Sequence, residues 1–391
     1  ITGNTQGAME IPAEAMSDLD VGPTYTGNGT DRVSGSGTVD NGATTSVHWP
    51  GIDVPFYGSD SINVSSPVTV DPGFVLEMAP GIGAWLDVGY STPAGTLNVQ
   101  GTSADPAVFE SSSGQPGDWI GIEFYSKGTV SYPNVLNHAE VNDAGANADT
   151  GNVSLYGASA TISNSKIQNG KAYGIYADGS STLPGFSANV VTGNTQGAMD
   201  IPAEDMSQLD VASSYTGNAS DYVYVGGTVD NGSGNMVHWP AIDVPFFAID
   251  PISLDSPVTA DAGMSMVMGS GNYIDVGYSG TPGSFYAHGT AGAHVVFRAP
   301  SPGASYWDAI NFYSPTSGGA PNILDYTTIE DGGAYTGEVY VASGGGATVT
   351  NSRFLYSNVG ICVDPSRNSF SQSGNSFDSS VTTDIDTTGG C

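Results

Sequence analysis

The chain has 391 residues, enough for two or three ordinary domains or for one elongated repeat structure, and no run approaches the ~18 consecutive apolar residues of a membrane span. Charged residues make up only 12% and glycine numbers 55, about twice the usual share of roughly 7%, which describes a chain rich in turns and poor in long helices. A formal net charge of −32, spread along the whole length, excludes binding of nucleic acid or of an anionic membrane through a basic patch.

In chain order, the first stretch is ITGNTQGAMEIPAEAMSDLDV, Ile1 to Val21, whose IPAEAMSDLD holds the only hint of a 3.6-residue stripe. Short runs of period two follow, each closed by Gly, Pro, Asn or Asp: SINVSSPVTV, AWLDVGY, TLNVQGT, NVSLYG, ATISNSKI, AYGIYADG and FSANVV. These are strand and turn signals. From Asn152 the strands recur roughly every ten residues, with Asn164, Asn169 and Gly170 at corners that call for left-handed backbone.

At Val191 the opening returns as VTGNTQGAMDIPAEDMSQLDV. TGN at Thr26 returns at Thr216, TVDNG at Thr38 returns at Thr228, and VHWP at Val47 returns at Val237, all at an offset of 190 residues. DVGYS at Asp87 returns at Asp275, WIGIEFYS at Trp119 returns as WDAINFYS at Trp307, and ATISNSKI at Ala160 returns as ATVTNSRF at Ala347. The chain therefore divides into a first unit, 1–190, and a second, 191–391, with a C-terminal cap.

The runs ATISNSKIQNGKAYGIYADG and FSANVVTGN resemble coils of the right-handed parallel β-helix, and GTLNVQGTSADPAVFESSSGQPGDWIGIEFY resembles a segment of bacterial extracellular and surface proteins of the β-helix-repeat type. The resemblance covers nearly the whole of both units. It implies an all-β solenoid, and it places the chain in a group that contains pectate lyases, polygalacturonases, adhesins and proteins without known activity. With ~22 to 25 residues per coil and a rise of ~4.8 Å, about sixteen coils would make a rod on the order of 75 Å long.

Candidate chemistry is sparse. A lyase of this fold needs a basic residue beside calcium, and a hydrolase needs paired carboxylates. Only Lys166 and Arg353 match between the units, and their alternation in NSKI and NSRF points them to solvent. The polygalacturonase motifs NTD, GHG and RIK are absent, so no catalytic residue carries over. His48 and His238, with Asp53 and Asp243 five residues on, read as packed corner residues in preference to metal ligands. Trp49, Trp119, Trp239 and Trp307 are candidates for stacking on sugar rings, with interior packing as the alternative. Calcium is the one cofactor with any sequence support, through Asp143, Asn147 and Asp149 on the Gly-rich loop NDAGANADTGN, where a solvated turn is the alternative.

Cys362 and Cys391, both in the last thirty residues, read as a disulfide staple formed in an oxidising compartment. The chain reads as a mature or trimmed form, extracellular or on a cell surface. The leading functional expectation is a non-catalytic structural or adhesive rod that stacks head to tail with itself or with neighbouring repeat units, Ile1 lacking a cap. The alternative is a polysaccharide-binding or polysaccharide-cleaving β-helix protein, and ice binding lacks the regular T-x-T ladder it requires.

Overall fold

The computed structural model describes residues 1–81, 83–91, 95–148, 150–232, 235–279, 283–303, 305–314, 321–366 and 369–388. It is a right-handed parallel β-helix of short strands, and its strand pairs are parallel. The chain divides into two compact units, Ile1–Ile201 with Ala212–Tyr222, and Pro202–Val211 with Val223–Cys391.

In the first unit three columns of apolar side chains line the interior. Ile62, Leu86, Ile122, Val153, Ile175 and Met199 stack in register along one sheet face. Phe56, Leu76, Phe109, Val141, Ile167 and Val191 form the second column. Trp49, Val70, Val99, Leu136 and Ile162 form the third, and all of these side chains are sealed from solvent. The second unit repeats the plan with Ile252, Ile274, Ile310, Val339 and Ile361 in one column and Phe246, Met266, Phe297, Ile329 and Phe354 in another. Period-two patterning produces this directly, because alternate side chains of each strand enter the interior. Each buried Val, Ile, Leu or Phe contributes about 1.5–3 kcal/mol, so the columns are the main source of stability.

Polar ladders run beside the apolar columns. Asn152 Nδ2 donates to Asn194 Oδ1 at 3.3 Å, and Asn194 Nδ2 donates to Asn218 Oδ1 at 2.9 Å. Asn194 Oδ1 also accepts the Gly170 N–H at 2.9 Å. At another corner the Ser165 N–H bonds Asn189 Oδ1 at 3.0 Å, matched in the second unit by the Ser352 N–H and Asn375 Oδ1 at 2.9 Å. These amides satisfy backbone groups that the corners take out of the sheet ladders.

Asn164 and Asn169 have the expected left-handed backbone, with φ of 51° and 59°. Gly170 does not; it is glycine because a Cβ there would lie 2.5 Å from Asn152 Oδ1. Coil length also departs from expectation. The step from Val153 to Ile175 is the expected size, but Leu86 pairs with Ile122 and Ile274 with Ile310, because long loops interrupt those coils. The IPAEAMSDLD stripe forms only a short 3-10 helix, Ala13–Asp18, and its repeat forms Ala203–Gln208.

The buried amide ladder makes a direct test of this reading. Asn194→Ala leaves several buried groups unpaired and should destabilise by roughly 2–4 kcal/mol, whereas Asn4→Ala, at an exposed position of the same motif, should change stability by less than about 0.5 kcal/mol. Chemical unfolding of the two variants beside wild type measures the contrast.

Candidate functional site

Outside the interior, the side chains of one sheet face also stack in register. In the first unit the row reads Asn63, Asp87, Glu123, Ser154, Tyr176 and Asp200. Asp87 and Glu123 are therefore direct neighbours on adjacent coils, although a full coil with the strands Thr96–Gln100 and Ala107–Ser111 separates them in sequence. Both are nearly inaccessible, with exposures of 6% and 8%.

Two acids so placed cannot both ionise cheaply. Burial first, then hydrogen bonding and repulsion from Glu123, push Asp87 up to about 8, and burial raises Glu123 as well. The pair shares a proton at neutral pH. The Tyr125 hydroxyl donates to Glu123 Oε2 at 3.3 Å, and its own ionisation is pushed up by burial and by both acids. In the second unit Asn311 stands where Glu123 stands in the first, and its Nδ2 donates to Asp275 Oδ1 at 2.9 Å. An amide there supplies the hydrogen that the acid pair must take from water.

Tyrosines flank the acids in both units. Tyr90, Tyr125, Tyr156 and Tyr176 follow one another with centroid separations of 4.9, 5.1 and 5.7 Å. Tyr278 and Tyr313 repeat the first contact at 4.8 Å. Tyr125 and Tyr156 are stacked while Tyr90 meets Tyr125, and Tyr278 meets Tyr313, edge to face, and Tyr90 and Tyr278 are each 67% exposed.

The four tryptophans, candidates for sugar stacking or for interior packing, do not reach solvent. Trp49, Trp119, Trp239 and Trp307 are fully buried, and the indole N–H groups of Trp119 and Trp307 donate to the carbonyls of Asn142 and Glu330. A ring with no open face cannot stack on a ligand, and these rings are core. Sequence alternation hid this because both readings place an aromatic next to a turn. His48 and His238 correct in the opposite direction: they are 64% and 57% exposed and face Asp71 at 3.6 Å and Asp261 at 2.8 Å. Asp53 instead accepts the Tyr25 N–H.

The candidate oxygen set on the Gly-rich loop lies only partly within the described residues. Asp143 is buried, and burial with the nearby Glu110 and Asp118 raises it to about 6. Asn147 is exposed, and Asp149 lies outside the described residues. Among the described residues no three His, Cys, Asp or Glu side chains lie close enough together to hold a metal ion. Lys166 is exposed as expected, paired with Glu140 at 2.8 Å. Cys362 is buried beneath the last coil, and its expected partner Cys391 lies outside the described residues.

No family model matches this chain, and neither the curated proteins nor the solved structures contain a match.

The acid pair has a signed consequence for stability. Its raised protonation favours the folded state below the ordinary carboxylate range, near pH 4, and that stabilisation is lost as pH rises through about 8. Glu123→Gln, which copies the Asp275–Asn311 arrangement, should flatten the fall in melting temperature between pH 5 and 9 and raise it by a few °C at the alkaline end. Thermal melts across that range check it.

Proposed function

We propose that this chain is a non-catalytic structural or adhesive element of a bacterial cell surface or extracellular matrix, built to stack coil edge to coil edge with further coils of its own kind. One observation carries the reading. Strand Met9–Pro12 pairs with Val33–Ser36 through one edge and carries on its other edge the residue pattern of its repeat. Its repeat, Gly197–Pro202, has nearly the same sequence and pairs through that same edge with Tyr173–Ala177. The first edge is thus shaped to accept a coil of the Tyr173–Thr192 type. Parallel strand edges of this kind are templates for strand addition.

Polysaccharide binding is a second reading, supported by the open rings of Tyr90 and Tyr278 beside buried acids. Cleavage is not favoured, because hydrogen-bonded carboxyls lie closer together than the ~5–9.5 Å that glycosidase pairs need around a glycosidic bond.

The stacking reading is tested by placing a second copy of residues 1–190 ahead of Ile1 in one polypeptide. The amides of the inner Met9–Pro12 strand should then exchange with deuterium as slowly as those of Gly197–Pro202; exchange as fast as in the unextended chain would refute edge stacking. A surface location also calls for the Cys362–Cys391 bridge, which would remove about 3.5 kcal/mol of unfolded-chain entropy. Alkylation and mass measurement without reductant should find no free thiol, and two alkylated cysteines would refute it.

A further inference from the structure

The two units differ at one sealed polar position. In the first unit Asn152 is fully buried, its Oδ1 accepting the Ala144 N–H at 3.0 Å and its Nδ2 donating to the Gln168 carbonyl at 2.8 Å. In the second unit NVSLYG becomes EVYVAS, and the position is Glu338. Glu338 is likewise completely buried. A carboxylate can accept hydrogen bonds but cannot donate the one that Asn152 gives.

The surroundings of Glu338 do not stabilise a charge. The Gly332 N–H and the Ser357 hydroxyl approach it, yet neither carboxyl oxygen nor the Ser357 oxygen completes a hydrogen bond of good geometry. The charged groups facing it are Asp331 and Glu330, both acids. Arg298 and Arg353 act on Glu330. The Trp307 ring closes the site against Gly332, where a Cβ would sit 3.1 Å from the indole and 3.2 Å from Glu338 Cγ. The backbone is held on both sides, the Ile310 N–H bonding the Glu338 carbonyl and the Glu338 N–H bonding the Val359 carbonyl at 3.0 Å each. The side chain is therefore fixed to a buried position by backbone bonds on both neighbouring coils.

We propose that Glu338 is a proton-operated latch: protonated, it lets the coils from Val339–Val341 to Thr383–Asp386 close, and ionised, it loosens them. Val339 stacks on Ile310 on one side and on Ile361 on the other, and Ile361 stacks on Ile385, so the coils on both sides of Glu338 feel the loosening and those from Val339 to Asp386 report it. The sign follows from burial, which raises Glu338 well above its ordinary value. Closure is fully favoured below about pH 4.5 and weakens as pH rises through the raised value, by up to about tenfold in the opening equilibrium per pH unit. The latch is independent of any stacking at the Met9–Pro12 edge.

Hydrogen exchange of Val339–Val341 and Val359–Val363, corrected for intrinsic rates, tests this between pH 5 and 9. Wild type should lose protection with rising pH, and Glu338→Gln should stay flat and be protected at least about tenfold more at pH 9. Equal pH slopes in the two proteins overturn the latch. Should Glu338→Gln fail to fold, the carboxyl carbon of Glu338 in wild type, followed by NMR, decides the matter: an inflection in the ordinary glutamate range overturns it, and none until well above that range supports it.

Discussion

Each side chain in this fold lies directly over its equivalent one coil away, so every position must be compatible with its own kind. Apolar groups satisfy this at once, as the Ile62–Met199 column does. Asparagine satisfies it because an amide both donates and accepts, which lets Asn152, Asn194 and Asn218 form a ladder. Tyrosine satisfies it by ring contact. Carboxylate alone does not, since like charges on adjacent coils repel. With 39 acids and 7 basic side chains, oppositely charged neighbours such as Glu140 and Lys166 are scarce. Acid over acid is then tolerated only with a proton between, or where a cation lies near, as for Glu77 over Glu110 with Arg32 opposing their repulsion.

The duplication works as an internal comparison of these solutions. Where the first unit has Asp87 over Glu123, the second has Asp275 over Asn311 and a sound 2.9 Å hydrogen bond. Where the first unit has Asn152, the second has Glu338 and loses its donor. The exchange runs in opposite directions at the two positions, so neither unit is simply the optimised copy. Each keeps one acid arrangement that folds at the expense of holding a proton. Such arrangements make stability depend on pH in a range where exposed carboxylates no longer titrate.

Much of the fold was legible because period two, glycine-rich turns and a 190-residue repeat are all local signals. Asn164 and Asn169 were legible as corners for the same reason. The acid pair was not. Asp87 and Glu123 meet because the register resumes after a coil whose connections between its strands are long, and connection length carries no periodicity to read. The histidines were misplaced by residue-type expectation, and of the two readings open for the tryptophans the interior one is what the burial shows. Indole beside a turn fills a corner from inside, while His48 and His238 alternate with the buried Val and Trp of their three-residue strands and therefore face out. Their alternation was available in VHW, and it outranks the average habit of histidine.

The same rule bears on which coil could stack at an edge if the proposed stacking occurs. At the Met9–Pro12 edge, Glu10 occupies the place that Asp200 occupies in the repeat, and Asp200 lies over Tyr176. A neighbouring repeat unit would therefore bring a tyrosine over Glu10, a neutral partner already proven in the chain. A coil of the Thr383–Asp386 type would instead bring Asp386, which lies over Cys362 in that same column, against Glu10. That contact repeats the acid-over-acid problem of Asp87 and Glu123 at an exposed site, where water competes for the shared proton and the charges stay apart. Under the stacking proposed above, charge in this single column would favour a coil of the Tyr173–Ala177 type over one of the Thr383–Asp386 type against Glu10 at neutral pH.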